Sequence, residues 1–352
     1  MLLQLLPTNT PESTPSIQRG SFHGAGGTLL GMQIVNVCLT IVTLGAYHFW
    51  AKAKIRRYLF SQTAFAGDRF AYHGTGKELY QGFLKAMVVF GIPYFSLGAA
   101  QSFLALPQSV DFLLQAMAAL VLFLYVPVAI VNARRYRCTR TSWRGIRFSF
   151  RGRTVDFLKL YFKGWLFTLL TLGTYYPYFQ TQRQAFLHSH TYFGNQRFQF
   201  TGHGSGLMVP FAVTLFTTYA VLCLCGLALA LQLTNAGLTL LLIPFVLGPV
   251  WVWLLGQKQK YYWDHTTFGE ARFSSSITWQ KLFGLYLGNL ALLLLTLGWA
   301  WPWVTVRNAR FFIGTLSLQG LTDLDRVLQD TTETSVTGEG LSNLLDTGFD
   351  MD

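Results

Sequence analysis

A short pattern recurs along this chain and limits what it can fold into. Its form is Thr-x-Phe/Trp-x-x-x-Arg-Phe-x-aromatic-x-Gly. One copy holds Thr63, Phe65, Arg69, Phe70, Tyr72 and Gly74. A second holds Thr141, Trp143, Arg147, Phe148, Phe150 and Gly152, and a third Thr191, Phe193, Arg197, Phe198, Phe200 and Gly202. A fourth fades: Thr266, Phe268, Arg272 and Phe273 are in place, but Ser275 stands where the last ring belongs. Each copy carries a central glycine: Gly67, Gly145, Gly194 or Gly269. Aromatic residues at alternate positions on both sides of a glycine predict a short β-hairpin.

Long apolar runs separate these copies. Residues 82–106, 112–131, 207–232 and 236–256 contain Lys85 as their one charge. Only 12% of the chain is charged, against about 25% in ordinary soluble domains. Runs of this length predict membrane helices. Three further apolar segments, 28–50, 157–179 and 282–303, each contain Thr-Leu-Gly, at Thr43, Thr171 and Thr296. The interval from Thr43 to Thr171 equals that from Thr63 to Thr191, and the interval from Thr171 to Thr296 equals that from Thr141 to Thr266. Two independent marks in one register argue for an internal duplication.

The expected fold is an all-α integral membrane protein, an internally duplicated helical bundle with small β-hairpins between the hydrophobic segments. Residues 1–20 read as a flexible N-terminal tail and 21–320 as one membrane domain. Its repeat units cover about 21–150 and 151–275, with a partial copy at 276–320. The acidic segment 321–352 reads as a disordered C-terminal tail.

Thr43-Leu-Gly-Ala-Tyr-His-Phe-Trp-Ala-Lys-Ala-Lys, followed by Phe70-Ala-Tyr-His-Gly-Thr-Gly-Lys-Glu-Leu, resembles the YjgN-like family of bacterial inner-membrane proteins, over roughly residues 20–320. The later copies are more degenerate, with Pro177 and Pro302 in the place of Phe49. The resemblance implies a multi-pass protein of the bacterial inner membrane. The family is defined as a domain of unknown function, so no catalytic residue is carried over.

The net charge is +12, and the basic residues crowd the linkers beside apolar segments. A membrane explains this better than nucleic acid does, because cytoplasmic linkers are enriched in Lys and Arg. By that rule all linkers holding the pattern face the cytoplasm. If all seven apolar segments cross, however, the linkers after segment 157–179 lie outside. Two resolutions compete: an inverted repeat, as in transporters, or Thr-Leu-Gly segments that enter and leave from one side. Lys159 and Lys163 leave segment 157–179 short for a full crossing, which favours the second. That segment is expected to bend near Thr171 and Pro177, the proline removing a backbone hydrogen bond.

Few groups suit chemistry. Cys223 and Cys225 read as helix filling, and the histidines show no ligand spacing with acids or cysteines. Gly74–Gly76 and Gly202–Gly206 read as lacking the strand–helix context of a nucleotide site. We therefore expect no catalytic residue, no metal and no cofactor. Candidate polar contacts are Asn36 and Asn289 in the apolar segments, Thr43, Thr171 and Thr296, and Lys159 and Lys163. The pattern arginines Arg69, Arg147, Arg197 and Arg272 are candidates for anionic lipid headgroups or for pinning a hairpin to its neighbour. The expected function is non-enzymatic: binding of anionic phospholipid or a partner through basic cytoplasmic hairpins, with the lipid bilayer as environment and no nucleic acid. The alternative is a transporter or channel for a small anionic solute. It calls for a polar cavity between segments 28–50, 157–179 and 282–303.

Overall fold

The computed structural model describes residues 17–103, 107–232 and 234–320. Both expected tails fall largely outside that range. The hairpins form where the pattern places them: β2 (Thr63–Phe65) with β3 (Asp68–Tyr72), β4 (Thr141–Trp143) with β5 (Ile146–Phe150), β6 (Thr191–Phe193) with β7 (Gln196–Phe200), and β8 (Thr266–Phe268) with β9 (Ala271–Ser275). Ala66-Gly67 and Arg144-Gly145 turn with positive φ at both positions, the type I′ geometry that matches strand twist. Gly194 and Gly269 come first in their two-residue loops and take φ of 57° and 58°. Thr63, Thr141, Thr191 and Thr266 begin strands, and each hydroxyl donates to the carbonyl four residues back at 2.7 to 2.9 Å. That bond closes the preceding helix as the strand starts.

The hairpins are not separate ornaments on a helical bundle, as the all-α expectation had it. With β1 (Gln18–Phe22) and β10 (Leu316–Gln319) they close into one antiparallel barrel. Phe70 opposes Trp143, Phe148 opposes Phe193, and Phe198 opposes Phe268 across neighbouring hairpins. The all-α reading failed because it counted hairpins singly. Closure leaves no unpaired edge, which short isolated hairpins cannot achieve. The last unit is split between the two ends of the chain: Gln18 pairs with Leu318 and Arg19 with Ser317. β1 therefore includes residues 18–20, assigned to the flexible tail on sequence.

Antiparallel neighbours in chain order put all four hairpin turns at one rim. Every helix then attaches at the other. Among the described residues, five helical hairpins leave that second rim and return to it. Two are long. The first is α3 (Gly76–Ala86), a π-turn at Met87–Gly91 and α4 (Ile92–Phe103), followed by α5 (Gln108–Arg140). The second is α8 (Met208–Ala230) with α9 (Ala236–Asp264). Their arms are the helices long and apolar enough to cross a membrane, four among the described residues.

The Thr-Leu-Gly segments are the other three hairpins, not single helices. Their arms are α1 (Gly26–Val42) with α2 (His48–Gln62), α6 (Thr154–Leu170) with α7 (Tyr176–Ser189), and α10 (Trp279–Leu295) with α11 (Trp301–Gly314). In the first tip, Gly45 N–H donates to Thr40 O at 2.7 Å and Leu44 N–H to Ile41 O at 3.1 Å. This is a Schellman closure with leucine in the left-handed position usually given to glycine. Thr43 Oγ1 donates to Leu39 O and accepts from Tyr47 N, joining both arms. The same bonds recur around Thr171 and Thr296. The turn thus satisfies its own backbone, as irregular chain at membrane depth requires. Pro177 and Pro302 lie in the first turns of α7 and α11. An N–H there has no intrahelical partner anyway, so these prolines start helices and do not bend one, contrary to expectation.

A ring and a glycine couple at each strand exit. A Cβ on Gly24, Gly152 or Gly202 would lie 2.5 to 2.6 Å from the ring of Phe22, Phe150 or Phe200 two residues earlier. Tyr72 covers Gly74 in the same way. Where Ser275 replaces the ring, Ile277 replaces the glycine. The fading fourth copy therefore loses both halves of one contact together.

Candidate functional site

Strand alternation sorts the pattern into two surfaces. Phe65, Trp143, Phe193 and Phe268 face the barrel lumen, as do Phe70, Phe148, Phe198 and Phe273. The four phenylalanines that follow the pattern arginines stack in series: Phe70 on Phe148, Phe148 on Phe198 and Phe198 on Phe273, at centroid distances of 6.2 to 6.4 Å and interplanar angles of 23 to 25°. Trp143, Phe193 and Phe268 form a second ladder, at 5.5 and 5.9 Å. Such pairs contribute about 0.5–1.5 kcal/mol each beyond area burial. The rings leave a cavity of about 470 Å³ inside the barrel.

The helix ends roof this cavity with Phe60, Arg134, Arg137, Cys138, His188 and Trp263. Arg134 and Arg137 are one turn apart on α5. The Arg134 guanidinium has one long bond, to Thr191 Oγ1 at 3.4 Å, and its Nε is buried without a hydrogen-bond partner among the described residues. His188 holds its place through both ring nitrogens. Thr266 spends its hydroxyl proton on Tyr262 O, so it accepts from His188 Nδ1 at 3.2 Å. Nε2 then accepts from the Gln184 amide at 2.7 Å. Burial, with the nearby Arg134 charge, pushes His188 down from 6.5 to about 3, so the ring is neutral and cannot serve as a counter-charge.

The pattern arginines Arg69, Arg147, Arg197 and Arg272 are exposed on the outside of the barrel. Each lies at the hairpin end of its strand, about three residues or 10 Å farther from the helices than the strand exit. Arg197 Nε donates to Ser189 O. Among these hairpins, Asp68 is ion-paired with Arg144.

The other expected residues lie apart from the lumen. Thr43, Thr171 and Thr296 are tip caps. Lys159 and Lys163 are exposed on α6, Lys163 with its ammonium 5.8 Å from the Phe167 ring centroid. Asn289 donates to Asn308 Oδ1 at 2.7 Å. Asn36 is buried, and neither atom of its amide has a hydrogen-bond partner among the described residues. The three Thr-Leu-Gly segments do not converge either. The first and third pack together through α1 and α11, while α6 packs on α5 and α7. Between α1 and the third tip lies a space of about 380 Å³ whose lining is apolar apart from Gln33. The Gly74–Gly76 stretch does stand between a strand and a helix, unlike the sequence reading. But a Cβ on Gly76 would lie 2.6 Å from the Trp50 backbone, so close packing takes the space a phosphate would need.

Sequence reasoning missed the roof. Arg134, Arg137 and His188 each look like members of a basic or mixed linker. Only the barrel gathers them from helices more than fifty residues apart in sequence.

Comparison with known proteins places the chain. The family described as "Bacterial protein of unknown function (DUF898)" matches residues 17–344. An inner membrane protein YjgN of Escherichia coli O157:H7 is 35% identical over 130 residues, and that of Escherichia coli strain K12 is 33% identical over the same length. The corresponding Salmonella typhimurium protein is 32% identical. Each match spans 37% of this chain and 30% of the relative. No solved structure matches.

Proposed function

The chain belongs to the DUF898 family, a family of bacterial membrane proteins, and from its architecture we propose that it is a non-enzymatic binding module held at the cytoplasmic face of the inner membrane. Its barrel carries an outward belt of arginines to an acidic soluble partner. The observation that supports this most is that Arg69, Arg147, Arg197 and Arg272 occupy one equivalent exposed position on four hairpins, toward the turn rim, with Arg197 also reaching Ser189 O. A belt so placed suits a partner in solution better than headgroups. The two long helical hairpins cross the bilayer and return. The three Thr-Leu-Gly hairpins enter from the cytoplasmic side and leave on it. We infer that the recurring units arose by duplication, since four hairpins share one residue pattern in one register. The cytoplasmic side is favoured by the basic strand-flanking segments. The transporter alternative draws less support, because segment 157–179 packs apart from the other two Thr-Leu-Gly segments and the gap beside α1 is apolar.

The test uses the full chain in lipid nanodiscs. A fluorescein-labelled oligo-glutamate is the acidic probe, and vesicles of phosphatidylglycerol compete as the lipid arm. Binding of oligo-glutamate should weaken with salt and fall at least tenfold when all four belt arginines become glutamine. Capture of the vesicles but not of the peptide would overturn the partner reading in favour of lipid.

A further inference from the structure

The belt leaves the lumen unused. We propose that the barrel lumen is a binding site for one amphipathic anion, whose apolar body lies among the ring ladders and whose carboxylate or phosphate meets Arg134. The inference is independent of the belt and of any partner that docks there.

Four features converge on this ligand class. The cavity, about 470 Å³, lies within the range of small-molecule sites, which are largely apolar with a few placed polar groups. Its walls are aromatic, so the part of a ligand that they accept is apolar, whether flat ring or acyl chain. Its charge is of one sign. Arg134 and Arg137 line it, and among the described residues no Asp or Glu does. A cationic ligand would meet two guanidinium groups in a desolvated space, where like-charge repulsion is strong. Finally, Arg134 is incompletely bonded. Its buried Nε lacks an acceptor among the described residues, and its contact to Thr191 is long. An arginine fork matches a carboxylate or phosphate with two parallel bonds, and an anion at this position would supply the missing acceptor. His188 does not compete for that role. It is neutral and both nitrogens are engaged, so it fixes the wall beside Arg134 without titrating near neutral pH.

The lumen also differs from a merely imperfect core. The half-buried Arg140 meets a carboxylate, that of Glu78, 2.7 Å away on the same barrel rim, although its Nε, like that of Arg134, has no hydrogen-bond partner among the described residues. Arg134 lies less than two turns from Arg140 on α5, yet it points to an aromatic chamber.

The test is equilibrium dialysis of the full chain in nanodiscs against empty nanodiscs, with 1-naphthoate as probe and neutral 1-naphthalenemethanol as control. We expect one saturable naphthoate site per chain, at least tenfold weaker binding of the neutral analogue, and at least a tenfold loss in Arg134→Gln. Phe198→Trp narrows the lumen and keeps Arg134, so it should also weaken binding. Should Arg134→Gln fail to fold, Arg134→Lys keeps the charge without the planar fork and should weaken naphthoate by several fold. A second arm adds decanoate: displacement of naphthoate identifies an acyl body, and its failure a flat ring, both within the proposal. Naphthoate retention equal to that of empty nanodiscs, or retention unchanged in both Arg134→Gln and Phe198→Trp, would overturn it.

Discussion

Phe148 and Phe193 oppose one another across β5 and β6, with ring centroids 4.8 Å apart. One ring belongs to the linker after α5 and the other to the linker after α7. A hydrogen-bonded strand pair cannot be divided by a bilayer, so we expect residues 132–156 and 180–206 to share one compartment. On that proposal the Thr-Leu-Gly segment between them enters and leaves on one side.

Cysteine labelling reads this directly. In a variant lacking Cys38, Cys138, Cys223 and Cys225, single substitutions Arg69→Cys, Asn195→Cys and Glu270→Cys report three hairpins. Ser142 is unsuitable, being buried and bonded to His73 at 2.8 Å. With the outer membrane permeabilised, a reagent that cannot cross the inner membrane should leave all three unlabelled. Gln108→Cys, at the far end of a long pair, should react. Labelling of Asn195→Cys with protection of Arg69→Cys would break the barrel.

The tips carry a second expectation. Leu44, Leu172 and Leu297 are 97, 81 and 90% exposed, at φ of 50, 49 and 50°. A left-handed leucine costs about 1–2 kcal/mol relative to glycine. Leucine there makes sense if lipid solvates it. A nitroxide on Leu44→Cys in nanodiscs should collide more with oxygen than with a water-soluble nickel chelate. The reverse ordering places the tip in water. Leu172→Gly should leave the detergent melting temperature unchanged or raise it, because it relieves the strain and removes no packed contact.

The ring–glycine contact predicts a coupled pair. Gly152→Ala forces the Phe150 ring aside and should destabilise by about 1–3 kcal/mol, the usual cost of overpacking. In Phe150→Leu the same alanine should cost under half as much. Additive effects in a double-mutant cycle would assign the clash to the Phe186 ring, 2.9 Å from the same Cβ, and not to Phe150.

His188 gives a pH dependence. Its folded value, about 3, lies below its ordinary 6.5, so the unfolded chain takes up the proton first. The contribution of neutral His188 is complete above pH 6.5 and is lost as the pH falls from 6.5 toward 3. At pH 5 the loss reaches at most about 2 kcal/mol. The wild type should lose more thermal stability between pH 7.5 and 5 than His188→Asn does. Parallel melting curves for the two would contradict the buried neutral ring.

The four hairpins were legible because period-two aromatics and a turn glycine are local signals. The long helix pairs were legible because hydrocarbon demands unbroken apolar length. Closure was not legible. β10 reads Leu316-Ser317-Leu318-Gln319, without ring or glycine, and its partner β1 lies at the opposite end of the chain. The Thr-Leu-Gly turns were hidden for a different reason. They reverse direction with threonine and leucine, so hydropathy runs through them and each pair of helices reads as one segment. Much of the basic linker proved structural: Arg57, Arg135 and Arg310 donate to the carbonyls of Gly74, Gly152 and Gly24. Arg134 has the same residue type in the same run. Only its neighbours in space set it apart.

The pairing of Gln18 with Leu318 sets an order on biogenesis. Strands β2 to β9 can zip in sequence as the ribosome delivers them, and each helical hairpin can insert as it emerges. The first strand must wait for the last. Until residue 319 has left the ribosome, β1 and β9 present bare edges, and the ring cannot lock. A message cut short or a stalled ribosome therefore leaves an open ring on the membrane surface. Such an unfinished chain keeps two bare strand edges, while the completed ring has none.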